Sequence, residues 1–241
     1  MSPIRKEVVI GDCRLILGDM RAVVPTLGTF DLCLTDPPYG IDENDKKVAS
    51  RANLAAPKDY GSFDWDKSPA DAEQMDLVRA SSQHQIVFGG NYFDLPKAPR
   101  WLVWDKENSG DFADGEMAWC SIPGALRIFR WQWNGFIRKG EMDKVKTPSF
   151  RAHPTQKPVA LMEWCLGIAR TARSVVDPFM GSGTTGIACA KRGLSFTGVE
   201  LHEPYFDIAC ERIRKAYAQP DMFVSAREPA PVQQPLFGDV A

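Results

Sequence analysis

Two short stretches of this 241-residue chain bring together residue types that can do chemistry. The first is Asp36-Pro37-Pro38-Tyr39, which closes the apolar run Asp31-Leu-Cys-Leu-Thr35. The prolines stiffen the exit and carry no N–H, so carbonyls in this turn are left to accept from outside. Asp36 and the Pro37 carbonyl can each accept one hydrogen of an exocyclic amino group, while Tyr39 stacks on the ring that bears it. The plainer alternative is a rigid turn with an ordinary exposed acid.

The second stretch is Val175-Val-Asp-Pro-Phe-Met-Gly-Ser-Gly-Thr-Thr-Gly186, an apolar strand ending in an acid, then a glycine turn and a helix start. Gly181, Gly183 and Gly186 match the G-x-G-x-x-G spacing that lets a backbone turn tightly and approach a nucleotide closely. It is not a P-loop, because no Lys-Ser/Thr pair follows. Glu200 ends the next apolar run, where a carboxylate can take two ribose hydroxyls. A diphosphate would be repelled by Asp177, whereas an adenosyl cofactor with a cationic methionine end would be drawn to it. Asp177 therefore leans away from a nicotinamide dinucleotide. A dinucleotide oxidoreductase would rest on the glycine pattern alone.

These turns need a scaffold of alternating strands and helices, and the pattern supplies one. Strands are expected at 15–17, 32–35, 86–88, 102–104, 175–177 and 196–199, with helices at 158–170, 184–192 and 204–217. Phe206, Cys210, Ile213 and Tyr217 share one helical stripe. This alternation predicts an α/β fold with a mainly parallel sheet and flanking helices. Residues 1–217 are expected to form a single catalytic domain. Within it, the polar stretch 41–70 reads as a long, mobile loop, and 218–241 reads as a disordered tail. Asn134-Gly135 signals a hairpin between Arg127–Trp133 and Phe136–Lys139. In the first arm Phe129, Trp131 and Trp133 share a face opposite Arg130 and Gln132.

Composition removes several classes. The chain is 44% apolar and 25% charged, which excludes collagen-like and wholly disordered sequences. The six cysteines lie apart, with no C-x-x-C pair and none after a proline; they read as small core residues of a reducing compartment. No metal site is expected from that spacing. No apolar run is long enough to span a bilayer, so no membrane partner is expected, and the start lacks a signal-peptide core.

Three stretches in one order, Thr35-Asp-Pro-Pro-Tyr-Gly40, His153-Pro-Thr-Gln-Lys-Pro158 and Asp177-Pro-Phe-Met-Gly-Ser-Gly-Thr-Thr185, resemble the motifs of amino-group DNA methyltransferases. Leu17-Gly-Asp19, Ile86–Phe93 and Trp101–Lys106 add smaller matches, so the likeness covers roughly residues 8–217. The catalytic turn precedes the cofactor turn, as in the circularly permuted beta class. The resemblance implies a Rossmann-like methyltransferase fold with a seven-stranded-type sheet, in which the strand ending at Gly18-Asp19 joins the C-terminal strands. It implies S-adenosyl-L-methionine as cofactor, double-stranded DNA as substrate, base flipping, and a restriction-modification setting in a bacterial or phage-encoded cytoplasmic protein. Asp36, Pro37, Pro38 and Tyr39 would be catalytic. Asp19 would meet the cofactor adenine and Glu200 its ribose. Asp177, Phe179, Gly181, Gly183, Thr184 and Thr185 would surround it, with Thr155 and Lys157 near its methionine end. Asp as the first residue of the turn favours adenine N6 over cytosine N4, and disfavours glutamine-directed relatives. A non-catalytic homologue that binds cofactor or DNA is the non-enzyme alternative, and monomer and homodimer both stay open.

By the same resemblance, target recognition belongs to a segment near 107–152. The chain's net charge of −2 seems to argue against a nucleic-acid partner, but it hides a division. Residues 42–126 sum to −6, whereas residues 127–151 carry 7 Lys+Arg against 2 Asp+Glu. Arg127, Arg130, Arg138, Lys139, Lys144 and Lys146 are the candidates for phosphate or guanine contacts. The ending Gln233-Gln-Pro-Leu-Phe237 resembles peptides that bind sliding clamps, although Pro235 departs from the usual pattern.

Overall fold

The computed structural model describes residues 2–40, 68–108, 113–132 and 156–218. In chain order its strands are β1 (Ile4–Ile10), β2 (Cys13–Gly18), β3 (Phe30–Thr35), β4 (Ser82–Phe88), β5 (Arg100–Asp105), β6 (Gly115–Cys120), β7 (Arg127–Arg130), β8 (Ser174–Asp177) and β9 (Ser195–Glu200). The helices are α1 (Met20–Val23), α2 (Ala72–Ala80), α3 (Val159–Ile168), α4 (Thr184–Arg192) and α5 (Glu203–Ala218). All nine strands join one sheet, ordered β1-β2-β9-β8-β3-β4-β6-β5-β7.

The five strands from β2 to β4 in that order are mutually parallel. Their apolar runs are near continuous because helices cover both faces. Alternation divides each strand between two cores. Leu15, Leu17, Leu32 and Leu34 face α3, α4 and α5, with Leu161, Ala188, Phe206 and Ile213. Ile16, Cys33, Val176 and Val199 face the other way, onto Val23 of α1 and Met75 and Val78 of α2. The helical stripe behaves as expected: Phe206, Cys210 and Ile213 are buried, while Tyr217 is partly exposed and its hydroxyl accepts the Asp12 N–H at 2.9 Å.

The N-terminal strand joins the C-terminal ones. β2 runs parallel to β9, with Leu17 opposite Glu200, which sets Asp19 beside Glu200 at the sheet's edge. Every strand and helix expected outside the hairpin is present in some form, but β1, β6, α1 and α2 are additions. β1 (IRKEVVI) is an edge strand rich in charge, held by antiparallel pairing with β2 rather than by burial. α2 begins with a capping box in which Asp71 and Gln74 bond reciprocally, the local signal for a helix start.

At the antiparallel end of the sheet, β7 pairs in parallel with β5. The turn Asn134-Gly135, the second hairpin arm and Trp133 lie outside the described residues, as do nearly all of the 41–70 stretch and the tail with its clamp-like ending. The aromatic face of the first arm is core: Phe129 stacks on Trp131 at 5.7 Å and meets Trp164 at 5.4 Å. Arg127 and Arg130 are exposed, with the Arg130 guanidinium 3.4 Å from Asp105.

Among the described residues all six cysteines are free and buried, no acidic, His and Cys cluster could hold a metal ion, and no helix is long and apolar enough to cross a membrane.

The glycine turn is built as its spacing suggests. Gly183 is the N-cap of α4 at φ 79°, and a Cβ there would lie 2.9 Å from the Ala209 Cβ on α5. Backbone strain and a blocked helix contact therefore act together. Gly183→Ala is expected to cost about 1–3 kcal/mol of stability, read from urea unfolding midpoints.

Candidate active site

Ligands of open α/β sheets bind outside the carboxyl ends of the parallel strands. Four acids stand at that edge on four neighbouring strands: Asp19 just after β2, Glu200 ending β9, Asp177 ending β8, and Asp36 just after β3. All four line one cleft of about 200 Å³, together with Pro38, Lys157, Phe179, Gly181, Thr184 and Thr185. Sheet register thus turns residues far apart in sequence into one row.

At the glycine-turn half, backbone donors help to fix the carboxylates of Glu200 and Asp177. Glu200 accepts the Gly181 N–H at 2.8 Å on Oε2 and the His202 N–H at 2.8 Å on Oε1. A carboxylate has about four acceptor sites, so two remain for hydroxyls. Burial outweighs these bonds and pushes the Glu200 carboxyl up to about 7. Asp177 accepts the Thr35 hydroxyl at 2.7 Å and the Phe179 N–H at 3.1 Å. Burial raises its carboxyl to about 6. The turn between them is tied from behind by Arg212 of α5, whose guanidinium donates to the Ser182 hydroxyl at 2.7 Å. Asp19 caps α1, accepting the Arg21 N–H at 2.9 Å, and is exposed to the cleft. Two oriented acids, a glycine turn and Phe179 fit an adenosyl cofactor that carries hydroxyls and a positive charge.

At the other half, the Tyr39 hydroxyl donates to Asp36 Oδ1, and the Lys157 ammonium lies 2.5 Å from Asp36 Oδ2. Burial raises the Asp36 carboxyl, against the pull of Lys157. Lys157 itself is 5% exposed and also lies 3.0 Å from Glu116 Oε2 on β6. Glu116 in turn meets Lys106 at 2.6 Å. Although burial opposes ionisation, the two ammonium groups hold the Glu116 carboxyl down at about 2. Burial works against the Lys157 charge as well, yet Asp36 and Glu116 raise its pKa. Tyr39 stacks on the exposed Tyr92 ring at 5.1 Å and 15°. Gly89 (φ 65°) lies against the Tyr39 ring so closely that a Cβ would fall 2.1 Å from its Cε1, so only glycine lets that ring sit here.

Most of the residues singled out in the sequence therefore meet. Pro37 is buried in the turn, and Pro38 uses its carbonyl on the Ala70 N–H at 3.0 Å. Gly183 caps α4 behind the cleft. Lys157 lines the cleft, but its ammonium is bound to Asp36 and Glu116 at the amino-acceptor end. Thr155, Arg138, Lys139, Lys144 and Lys146 lie outside the described residues. Sequence reasoning missed Glu116 and Tyr92. Tyr92 falls within the matched stretch 86–93, whereas Glu116 belongs to no motif and is placed only by the pairing of β6 with β5.

The family model described as DNA methylase matches residues 124–211. The chain is 40% identical over 65 residues to the type II methyltransferase M2.LlaDCHI of Lactococcus lactis subsp. cremoris, and 34% identical over 88 residues to M.HinfI of Haemophilus influenzae. Those alignments cover 26% and 36% of this chain, and the chain spans about a quarter of the length of either relative (24% of each). A longer alignment, 26% identical over 216 residues and covering 83% of this chain and 89% of the relative, is to the putative methylase YubD of Escherichia coli K12. Among solved structures, the M1.HpyAVI–SAM complex aligns at TM-score 0.51 and 24% identity, covering 83% of this chain and 98% of that one. The cytosine-N4-specific PvuII DNA methyltransferase aligns at TM-score 0.53 and 16% identity, covering 89% and 95%. The row of acids along the carboxyl edge thus sits on the fold that this chain shares with those two solved structures, and residues 124–211 match the DNA methylase family model.

Proposed function

We propose that this chain methylates an exocyclic amino group of a base in double-stranded DNA, with S-adenosyl-L-methionine as methyl donor and adenine N6 as the preferred target. One observation carries the reading: the Asp36 turn and the glycine turn open into a single cleft, so an amino-group receptor adjoins a nucleoside-cofactor site. When bound, S-adenosyl-L-methionine supplies an electrophilic methyl on a cationic sulfur. Glu200 would accept the ribose hydroxyls, Asp177 would offset the cofactor's charge, and Asp19 would meet the adenine.

Asp36 and the Pro37 carbonyl do the remaining work. An aromatic amino nitrogen is a poor nucleophile because its lone pair is conjugated into the ring. Accepting both N–H bonds favours pyramidal geometry and frees that lone pair. Alignment of the two reactants then supplies most of the acceleration, worth up to about 7–11 kcal/mol in well-oriented cases. The N–C bond would form as the methyl's S–C bond breaks, and the now cationic nitrogen then passes its proton to Asp36 or water, so no strong base is required. The amino group is out of reach in a duplex, and the target nucleotide must be flipped out at a cost of a few kcal/mol. Tyr39 provides the stacking surface.

Incubation with labelled S-adenosylmethionine and plasmid DNA, followed by digestion to nucleosides, tests this directly. Labelled N6-methyl-2′-deoxyadenosine is expected. Labelled N4-methylcytosine would transfer the mechanism to cytosine, and no label in DNA would overturn the reading. For DNA contact, charge reversal at Arg138 and Lys139 is expected to weaken binding and flatten its salt dependence by about two units of slope. An unchanged salt titration would remove that segment from the interface.

A further inference from the structure

The Lys157 ammonium presents a difficulty that the methyl-transfer reading leaves open. It is almost fully buried and occupies Asp36 Oδ2, the acceptor that the target's amino group needs. It also adds positive charge beside a cofactor that is itself cationic. Its apolar walls, the rings of Phe88 at 5.1 Å and Tyr39 at 5.6 Å, attract a cation but do not cancel its charge. A buried charge needs a paired counter-charge. Glu116 provides one in addition to Asp36, with Oε2 3.0 Å from Nζ. That oxygen is buried and already pairs with the ammonium, so the second carboxylate is in place before Asp36 turns away. Its other oxygen is anchored by Lys106 at 2.6 Å, and Lys106 is steadied over the Trp104 ring at 5.0 Å.

We propose that Glu116, fixed by Lys106, is a second seat for the Lys157 ammonium, taking that charge when Asp36 turns to the target's amino group and keeping the cleft receptive to a cationic cofactor. The proposal rests on the methyl-transfer reading and adds a positioning residue to it. Asp36, Glu116, Lys157 and Lys106 sum to zero charge. Neutralising Glu116 leaves the cluster positive, and neutralising Lys106 leaves it negative.

The test compares binding of S-adenosylmethionine, a sulfonium, with S-adenosylhomocysteine, the uncharged thioether, by calorimetry. The Glu116→Gln protein is expected to lose about tenfold in preference for the sulfonium, and Lys106→Met to move that preference the opposite way. A local loosening of the fold would not produce effects of opposite sign. Glu116→Gln is also expected to lower kcat by at least about tenfold, with KM for DNA within about threefold, because Lys157 then stays on Asp36. A preference unmoved in both proteins, or moved in the same direction in both, overturns the proposal. If wild-type protein transfers methyl groups and the preference does not respond, only the role of Glu116 fails. If wild-type protein neither binds the sulfonium nor transfers a methyl group, the functional reading fails and takes this inference with it.

Discussion

Asp36→Ala is expected to reduce methyl transfer on the order of 10³-fold while leaving the affinity for S-adenosylhomocysteine within about threefold of wild type. The asymmetry follows from position. Asp36 stands one residue past β3, whereas the carboxylates proposed to orient a nucleoside end β8 and β9. Glu200 is held by the Gly181 and His202 backbones, and Asp177 by Thr35 and Phe179; none of these bonds involves Asp36. Lys157 loses one partner in the variant but keeps Glu116 at 3.0 Å, so its charge is not orphaned. The uncharged thioether is the right ligand for the binding measurement, because it does not respond to the altered charge of the cleft. Single-turnover transfer and calorimetry on the same preparation check both halves. Retained turnover would remove Asp36 from the chemistry, and lost thioether binding would make its role structural.

The second large effect is a pair of opposed pH dependences. Burial places the Glu200 carboxyl at about 7 and that of Asp177 at about 6, above the ordinary carboxylate range. A carboxyl whose folded pKa is raised favours folding while it is protonated. Its contribution is complete below its unfolded pKa and is lost as pH rises through the folded value. Unliganded protein should therefore gain stability, on the order of a few kcal/mol, as pH falls from 8 toward 5. On the proposed assignment, binding of S-adenosylmethionine needs the ionised forms, Glu200 to accept hydroxyls and Asp177 to face a cation. Its affinity should fall over the same interval, beginning near pH 7 and more steeply below 6, by up to about tenfold per unit per group. Glu200→Gln is expected to bind the cofactor about 10–100-fold more weakly and to lose the step near pH 7. Denaturant melts and calorimetry across the interval give the two curves. Parallel curves would contradict the assignment of these acids to the cofactor.

Much of this was legible in the sequence because the signals are local. The Asp36 turn, the glycine turn and Glu200 each end an apolar strand, and a strand followed by a special turn can be read from neighbouring residues. The helical stripe at Phe206, Cys210 and Ile213 was legible for the same reason. Less local features were not. β1 carries Arg5, Lys6 and Glu7 and gives little burial signal, since its stability comes from the edge of β2. β6 (GEMAWC) opens with a glycine and an acid, and its Glu116 looks like one more charge in an acidic stretch. The shared face of Phe129 and Trp131 was legible from strand alternation, but the parallel pairing of that arm with β5 depends on a partner strand that its own residues do not encode.

By itself the sequence determined the chemistry's vocabulary: an acid and a rigid turn for an amino group, a glycine turn and two acids for a nucleoside, and an α/β alternation to carry them. Tertiary structure decided which of these face one another. Parallel register put Asp19, Glu200, Asp177 and Asp36 on one edge of the sheet, and antiparallel pairing of β6 brought Glu116 to Lys157. The physical reason is that residue type and spacing act over a few positions, whereas a buried ion pair depends on which strands lie side by side. The net charge of −2 shows the same limit, because what governs the cleft is not the sum but which charges are buried together.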